Sequence, residues 1–423
     1  MTRRVAGRVY GAALAAATLS ALQAQPAPET EVVAFVNARW FVGERFVDGP
    51  HYVSAGRFVD RPPRRAVTRT VDLKGRFVVP PFAEAHNHNT SPAQLARYFD
   101  QGIFYVKNPN SFPGDRTRAA GLVNTPSSPD VVFANGGLTS PGGHPVTIID
   151  RGIGHGSMTA ADGDGAFYHA IGNRADLARR WPAVLAGRPD FVKLYLLYSE
   201  RHATASSDER ARGWRGLDPA LVPEVVGRAH AAGLRVSAHV ESAADFATAV
   251  DGGVDEITHL PGFRGPAPGM PLDPSPFELR GEVVRRAAAR GVTVVTTVSG
   301  IEEVPATPDT APLRALARSL YRDSLRRLST ADVPIAIGSD RYEFTARDEA
   351  RYLSRLGVFE PATLLTMWCR TTAATIFPTR HIGVIEAGAE ASFLVLDGNP
   401  LEDFSAVTRI VLRVKQGVVT GAP

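Results

Sequence analysis

Histidine and aspartate residues stand at the ends of several apolar, β-branched runs of the sequence. His86 and His88 end the first run, and residues two apart on a strand point to the same face. The pair alone is weak support for a site, because 11 histidines in 423 residues give roughly 0.3 such pairs by chance. His239, His259 and Asp340 end three later runs. Imidazole nitrogens and carboxylate oxygens are ligands that Zn²⁺ and similar divalent ions prefer, so the pattern predicts a metal site.

Lysine is scarce in this chain, which makes one lysine conspicuous. Only four of the 47 basic residues are lysine, and Lys193 lies inside an apolar run. An unpaired ammonium would be costly to bury there, whereas a lysine can lose its proton on burial and become a nucleophile. The neutral amine can add CO₂ to give a carbamate, a carboxylate-like bridge between two metal ions. The alternative is a lysine that reaches water beyond the strand end or pairs with an acid.

These side chains can form one site only if the strands that carry them meet at their carboxyl ends. Short apolar runs alternate with helical segments, and eight such runs can be counted: residues 77–86, 102–108, 131–138, 190–197, 234–240, 254–260, 291–298 and 333–340. Parallel strands require crossover connections, and no dinucleotide-binding fingerprint follows the first strand. The sequence therefore predicts an α/β fold with a (β/α)8 TIM barrel over residues 77–382, a fold that places active sites at the carboxyl ends of its strands.

Short alternating strands, broken by glycine and aspartate, flank the predicted barrel on both sides. The flanks are residues 25–76 and residues 383–423, and each is too small to bury a core alone. We therefore expect the two flanks to pair with one another in a small composite β-sandwich.

The first 24 residues have the arrangement of a secretory signal peptide, with three arginines ahead of an apolar stretch of about a dozen residues. A membrane anchor would need ~20 apolar residues. Removing residues 1–24 takes away three arginines and no acid, which lowers the formal net charge from +4 to +1. We therefore expect an exported protein, periplasmic or secreted, with no nucleic-acid partner and no membrane span in the mature chain. The single cysteine, Cys369, excludes an intramolecular disulfide.

The sequence resembles the amidohydrolase superfamily in six residues and in their chain order: His86, His88, Lys193, His239, His259 and Asp340. The tail TTAATIFPTRHIGVIEAGAEASFLVLDGNPLEDFSAV is similar to the family's closing segment. The stretch LTSPGGHP resembles the Gly-Gly-His motif of the branch with imidazolonepropionase-like and dipeptide-cleaving members. Two positions depart from the family pattern, since Glu84 and Ser392 stand where many members carry aspartate. We expect Glu84, on the strand face of His86, to be a partner of that histidine.

This resemblance implies two divalent ions, with Zn²⁺ as the expected metal. His86, His88 and Asp340 would hold one ion, His239 and His259 the second, and carboxylated Lys193 would bridge them. The implied enzyme is a hydrolase that cleaves the C–N bond of an amide, cyclic amide or dipeptide by attack of a metal-bridging hydroxide.

The resemblance and the chemistry of such a site also suggest roles for individual side chains. Asp340 is expected to act as general base and then as general acid. His144, the histidine of LTSPGGHP, is expected to contact the substrate carbonyl and stabilise the oxyanion. Tyr195 and Tyr198 follow Lys193, and one of them is a candidate to hydrogen-bond a substrate carbonyl. The alternative is that both pack against helices. We expect a small-molecule substrate as the binding partner of this protein. Whether the protein forms a homo-oligomer is left open.

Two other functions stay open at this point. A lactonase or phosphoester hydrolase could use the same binuclear centre, because a bridging hydroxide attacks C=O and P=O alike. An exported metal-binding or solute-binding protein that has lost turnover is the second alternative. A serine hydrolase is disfavoured, because the chain contains no GxSxG motif. The loops that follow the strands carry no motif that identifies a substrate.

Overall fold

The computed structural model describes residues 31–420, so the predicted signal peptide lies outside the described residues. Five strands come first, and they are β1 (Val32–Val42), β2 (Arg45–Asp48), β3 (His51–Ser54), β4 (Arg57–Val59) and β5 (Arg69–Val79). Strand β1 is central, because it pairs in parallel with β5 and antiparallel with β2 and β3. Phe35, Trp40 and Phe58 are buried in a core that these strands share with residues of the C-terminal flank, among them Phe393.

Ten short parallel strands follow. They are β6 (Phe82–Glu84), β7 (Ile103–Asn108), β8 (Asp130–Phe133), β9 (Gly137–Thr139), β10 (Tyr168–Ala170), β11 (Phe191–Tyr195), β12 (Arg235–His239), β13 (Glu256–Thr258), β14 (Thr293–Thr296) and β15 (Ile335–Ile337). Each of the eight predicted runs overlaps at least one of these strands. The predicted alternation of parallel strands and helices is therefore confirmed.

The predicted closed barrel is observed only in part. The ten strands form a three-stranded sheet in the order β6-β7-β8 and a seven-stranded sheet in the order β10-β9-β11-β12-β13-β14-β15. Near β6 and β15 the two sheets are linked, because the Ala85 amide donates to the Ile337 carbonyl at 2.9 Å. Between β8 and β9 the described residues form no ladder. The predicted run 131–138 is split there, because glycines at positions 136 and 137 weaken a continuous strand.

The helices connect these strands and cover them. They are α1 (Pro92–Asp100), α2 (Asp115–Ala119), α3 (Val146–Gly154), α4 (Arg174–Ala186), α5 (His202–Ala205), α6 (Val222–Ala231), α7 (Ala243–Gly252), α8 (Gly281–Ala289), α9 (Ala311–Thr330), α10 (Ala346–Leu356), α11 (Pro361–Thr366) and α12 (Thr372–Ile376). Helix α7 illustrates the local rules, since Ser242 and Asp245 form a capping box at its start and Gly253 ends it at a φ of 84°. No helix in residues 31–420 is long and apolar enough to cross a membrane.

The chain then returns to the first β unit. Strands β16 (Phe393–Leu396), β17 (Ile410–Lys415) and β18 (Val418–Thr420) join it through antiparallel pairing of β16 with β5. The two flanks therefore pair, as predicted. They form one eight-stranded sheet in the order β18-β17-β16-β5-β1-β3-β4, with β2 on β1, and not two separate stacked sheets. The 11-residue strands β1 and β5 run through both halves of this sheet, which keeps it continuous despite a register shift between Val36 and Ala38.

Candidate metal centre

All six predicted metal ligands line one cavity at the carboxyl ends of the parallel strands. Lys193 lies in β11 and His239 ends β12, while the other ligands follow the ends of β6, β13 and β15. The cavity has a volume of about 300 Å³, and its lining residues are His86, His88, His144, Pro145, Ile148, Phe167, Lys193, Tyr195, His239, His259, Phe263, Arg264, Asp340 and Tyr342. The structure therefore brings together residues that are up to 254 positions apart in the sequence.

Asp340 is the centre of the first group of ligands. Its Oδ1 atom lies 3.3 Å from His86 Nε2 and 3.1 Å from His88 Nε2. Its Oδ2 atom lies 3.9 Å from His259 Nε2. The backbone fixes this geometry, because the Asp340 amide donates to the His86 carbonyl at 2.7 Å. One carboxylate and three imidazoles thus converge on a single region, and ligand atoms of His86, His259 and Asp340 lie within 4.8 Å of one another.

His239 and His259 form the second group, with ring centroids 4.4 Å apart. One nitrogen of each ring contacts a side chain that does not line the cavity. His239 Nε2 lies 2.9 Å from Glu241 Oε1, and His259 Nδ1 lies 2.6 Å from Thr297 Oγ1. Such contacts fix the orientation of a histidine and leave its other nitrogen for a metal ion.

The charge state of these side chains suits a cation. Burial lowers the pKa of His86 to about 3 and holds the pKa values of His239 and His259 well below the ordinary value, so these imidazoles are neutral. Burial alone would raise the pKa of Asp340, but His86 and His88 reverse this and hold it well below the ordinary value. Neutral imidazole lone pairs around one carboxylate are the donor set of a divalent metal site.

Lys193 lies in this cavity without an acidic partner. Its side chain is 2% exposed, and within residues 31–420 its Nζ atom forms no ion pair within 4.0 Å of a carboxylate. Burial lowers the pKa of Lys193 to about 7, so a large fraction of this amine is neutral near neutral pH. The other two buried lysines differ, because Lys107 pairs with Glu256 at 2.8 Å and Lys415 with Asp130 at 2.6 Å.

The His86 side chain gives a further reason to place an ion here, because its Nε2 atom faces the Asp340 carboxylate at 3.3 Å. Within the described residues the buried Nδ1 atom of His86 has no hydrogen-bond partner, so this ring is not fixed by a contact like those of His239 and His259. A ligand bond at Nε2, which faces Asp340, would fix it. The residues present therefore fit divalent metal ions.

The backbone is strained at two of the ligands. His259 has a φ of 77° and Asp340 a φ of 49°, in the left-handed region that non-glycine residues avoid. Such conformations cost of order 1–3 kcal/mol each and concentrate at functional sites. Gly338 permits the same corner to pack closely, since a Cβ there would lie 2.7 Å from the Cβ of His86. The fold thus tolerates strain to aim these two side chains into the cavity.

Glu84 is a hydrogen-bond partner of His86, through the backbone of that histidine. Its carboxylate contacts the backbone amide of His86 at 3.2 Å and does not reach the imidazole. It also accepts hydrogen bonds from the amide and hydroxyl of Ser339, both at 2.8 Å, and from the Ala346 amide at 2.6 Å. Glu84 therefore fixes the loop that carries Asp340 against the end of β6.

The three residues expected near the substrate are placed in two cavities. His144 and Tyr195 line the metal cavity, with ring centroids 5.1 Å apart. Tyr198 lines a neighbouring cavity of about 500 Å³, and its hydroxyl donates to the Gly265 carbonyl at 2.6 Å. The two tyrosines thus lie on opposite sides of the wall between the cavities.

Two residues of the site were not found from the sequence. Glu241 is fully buried behind His239, and its only sequence signal is the spacing of two residues from that histidine. Arg264 lies at the cavity wall with its guanidinium 4.1 Å from the ring centre of Trp214 and donates to the Gly213 carbonyl at 3.1 Å. It lies in the Pro/Gly-rich loop after β13, where no motif distinguishes it from the other arginines.

Comparison with known proteins identifies a family and a shared fold. The sequence matches the family model described as "Amidohydrolase family" over residues 146–421. The fold is similar to that of A. niger ochratoxinase, with a TM-score of 0.73 and 17% identity over 93% of this chain and 96% of that chain. A Xaa-Pro dipeptidase with bound methionine in its active site has a TM-score of 0.69 and 17% identity over 93% of this chain and 100% of that chain. An amidohydrolase structure has a TM-score of 0.70 and 19% identity over 93% and 99% of the respective chains. A search of curated proteins gave no match.

Proposed function

The chain belongs to the amidohydrolase family and is a hydrolase, and we propose that it cleaves a C–N bond of the amide type with divalent metal ions held in the cavity described above. The convergence of all six ligand side chains on this one cavity is the observation that carries the proposal. His86, His88 and Asp340 would hold one ion, His239 and His259 a second, and a carbamate on Lys193 would lie between them. When bound, such ions supply Lewis acidity and a hydroxide nucleophile near neutral pH.

Asp340 is the residue we propose to move the proton. Its carboxylate is 16% exposed at the cavity, whereas His86 beside it is 2% exposed. The low pKa of Asp340, held there by His86 and His88, keeps the carboxylate ionised and ready to accept a proton from the attacking water. The same oxygen can then deliver that proton to the leaving nitrogen, as general acid–base catalysis requires.

His144 and Tyr195 are the proposed donors to the substrate carbonyl. Burial lowers the pKa of His144 well below its ordinary value and raises that of Tyr195 well above its own, so both side chains stay neutral and keep a donor hydrogen. Donors that are fixed before the reaction stabilise the negative charge that develops on the carbonyl oxygen.

The walls of the cavity suggest a compact substrate with an apolar part and an anionic end. Ile148, Phe167, Phe263 and Tyr342 supply apolar surface, and Arg264 supplies a permanent positive charge. A dipeptide or N-acyl amino acid combines an amide bond, an apolar side chain and a free carboxylate. We therefore propose this class of substrate.

A substrate panel tests the proposal. The Zn²⁺-loaded and the metal-stripped proteins are assayed on N-acyl amino acids, dipeptides and cyclic amides, and on matched lactones and phosphotriesters. We expect hydrolysis of an amide by the loaded protein alone and a loss of at least 100-fold in the Asp340→Asn variant, with the exposed Asp309→Asn as a control. Preferential cleavage of a lactone or phosphotriester would contradict the amide assignment, and Asp340→Asn activity equal to that of the wild type would remove Asp340 from the mechanism.

We also propose that the protein is exported, on the basis of residues 1–24. Cell fractionation of the full chain and of a chain that lacks residues 1–24 tests this. We expect only the full chain to leave the cytoplasm, and retention of both chains there would contradict the proposal.

A further inference from the structure

Lys193, which lines the metal cavity, belongs to a row of five buried polar side chains. The residues come from four strands, each is at most 5% exposed, and they are Lys107, Lys193, Ser237, Glu256 and Thr258. The strands bring them together because Lys193 pairs in register with Ser237, and Ser237 with Glu256. Residues that pair on neighbouring parallel strands point to the same side of the sheet.

Hydrogen bonds connect the five side chains in one sequence. Lys193 Nζ lies 3.0 Å from Thr258 Oγ1, and Thr258 Oγ1 lies 3.0 Å from Ser237 Oγ. Ser237 Oγ lies 2.8 Å from Glu256 Oε1. Lys107 Nζ then lies 2.8 Å from both oxygens of Glu256.

The ion pair at one end of this row determines the direction of every bond in it. The Glu256 carboxylate, paired with Lys107, can only accept, so the Ser237 hydroxyl donates to it. Ser237 has then used its single hydrogen and must accept from the Thr258 hydroxyl. The Thr258 hydroxyl donates its only hydrogen to Ser237. Toward Lys193, Thr258 can therefore only accept a hydrogen bond.

We infer that Thr258 is a positioning residue that orients the modified side chain of Lys193. This inference rests on the proposed function, in which Lys193 carries a carbamate. When the amine adds CO₂, its lone pair forms the N–C bond, one C=O electron pair moves to oxygen, and one N–H proton passes to water. The carbamate nitrogen keeps a single hydrogen. The Thr258 hydroxyl oxygen would accept a hydrogen bond from this N–H. Because the carbamate is planar, this contact would fix the plane of the group and the direction in which its two oxygens point.

The test measures carboxylation of Lys193 directly, by ¹³C NMR of the full-length protein titrated with ¹³C-bicarbonate. Lys193→Met identifies the carbamate signal by removing it. Thr258→Val keeps the shape of the side chain but loses the acceptor, and we expect about a 10-fold lower carbamate occupancy at subsaturating bicarbonate. Thr258→Ser restores the hydroxyl and is expected to stay within about 3-fold of the wild type. Thr375→Val, in helix α12, controls for the loss of a buried threonine.

Ser237→Ala supplies a second and independent variant. It leaves Thr258 in place but removes the contact that directs its hydroxyl, so we expect about a 3-fold fall in occupancy. Wild-type occupancy in either Thr258→Val or Ser237→Ala would overturn the inference, and so would equal losses in Thr258→Val and Thr258→Ser. If Thr258→Val fails to fold, Ser237→Ala decides the question, because wild-type occupancy in that variant overturns the inference. If the wild-type protein shows no carbamate signal, the carbamate of the proposed function is wrong as well. Equal occupancy in the wild type and the variants would contradict only the inference about Thr258, so the two failures are distinguishable.

Discussion

Replacing Lys193 by methionine in the metal-stripped protein is expected to change how stability depends on pH. The folded protein gives up the Lys193 proton near pH 7, because burial lowers the pKa of this amine to about 7 from its ordinary 10.5. The unfolded chain keeps the proton up to about pH 10.5. Between these values the unfolded state binds more protons, so the free energy of unfolding of the wild type rises with pH. Methionine has a similar volume and no charge, so the variant lacks this contribution.

The size of this change in stability with pH follows from the shift in the pKa of Lys193. Each pKa unit is worth about 1.4 kcal/mol, and integration over the interval from pH 6 to pH 10 gives about 4 kcal/mol. We therefore expect the stability advantage of Lys193→Met over the wild type to shrink by about 4 kcal/mol across this interval. All groups that titrate equally in both proteins cancel in this difference.

The assay is guanidinium denaturation of both proteins at several pH values, in CO₂-free buffer so that no carbamate forms. Lys74→Met is the matched control, because Lys74 is exposed and its replacement is expected to leave the pH dependence unchanged. A difference between wild type and Lys193→Met that stays constant from pH 6 to pH 10 would refute the reasoning. It would mean that the buried amine keeps its proton in the folded state.

Four further predictions address the rest of the site. Gly338→Ala places a Cβ 2.8 Å from the backbone nitrogen of His86, and we expect thermal unfolding to show a free energy of unfolding lower by about 1–3 kcal/mol. The control is Gly227→Ala, whose Cβ would meet nothing within 4 Å and which should not be destabilised. Glu241→Gln is expected to weaken metal binding about 10- to 100-fold by calorimetry, because it releases His239, whereas the exposed Glu44→Gln should bind like the wild type. Arg264→Gln is expected to reduce kcat/KM about 10- to 100-fold for a substrate with a free carboxylate and by less than about 3-fold for its carboxamide, and equal losses on both would exclude a carboxylate contact. Chelation should abolish hydrolysis and lower the free energy of unfolding by about 2.7 kcal/mol relative to a sample with free Zn²⁺ at 100 times its Kd, and unchanged stability would argue against bound metal.

The ligands could be predicted from the sequence because a simple rule relates them. Residues at the carboxyl ends of parallel strands meet at one edge of the sheet, so His239, His259 and Asp340 could be grouped without knowledge of the fold's details. Lys193 could be added because a lysine inside an apolar run is unusual. The family resemblance then supplied the expected division of the ligands between two ions.

The remaining features depend on contacts that spacing does not encode. Glu241 and Arg264 act through the path of loops after β12 and β13, and loop conformation does not follow from periodicity. Tyr195 and Tyr198 are only three residues apart, yet they face different cavities because Tyr198 adopts a φ of 50° at the end of its strand segment. The run that was predicted as one strand breaks before Gly137, and the close packing there, where a Cβ would lie 2.5 Å from the Tyr195 ring, is also not encoded in the spacing.

Anomalous X-ray diffraction at the zinc edge, on crystals of the protein purified with Zn²⁺, tests the central claim most directly. We predict two anomalous peaks in the cavity, one among His86, His88 and Asp340 and the other beside His239 and His259, with electron density for a carbamate on Lys193 between them. The absence of any anomalous peak in this cavity, or a peak held only by other residues, would contradict the assignment of a binuclear metal hydrolase.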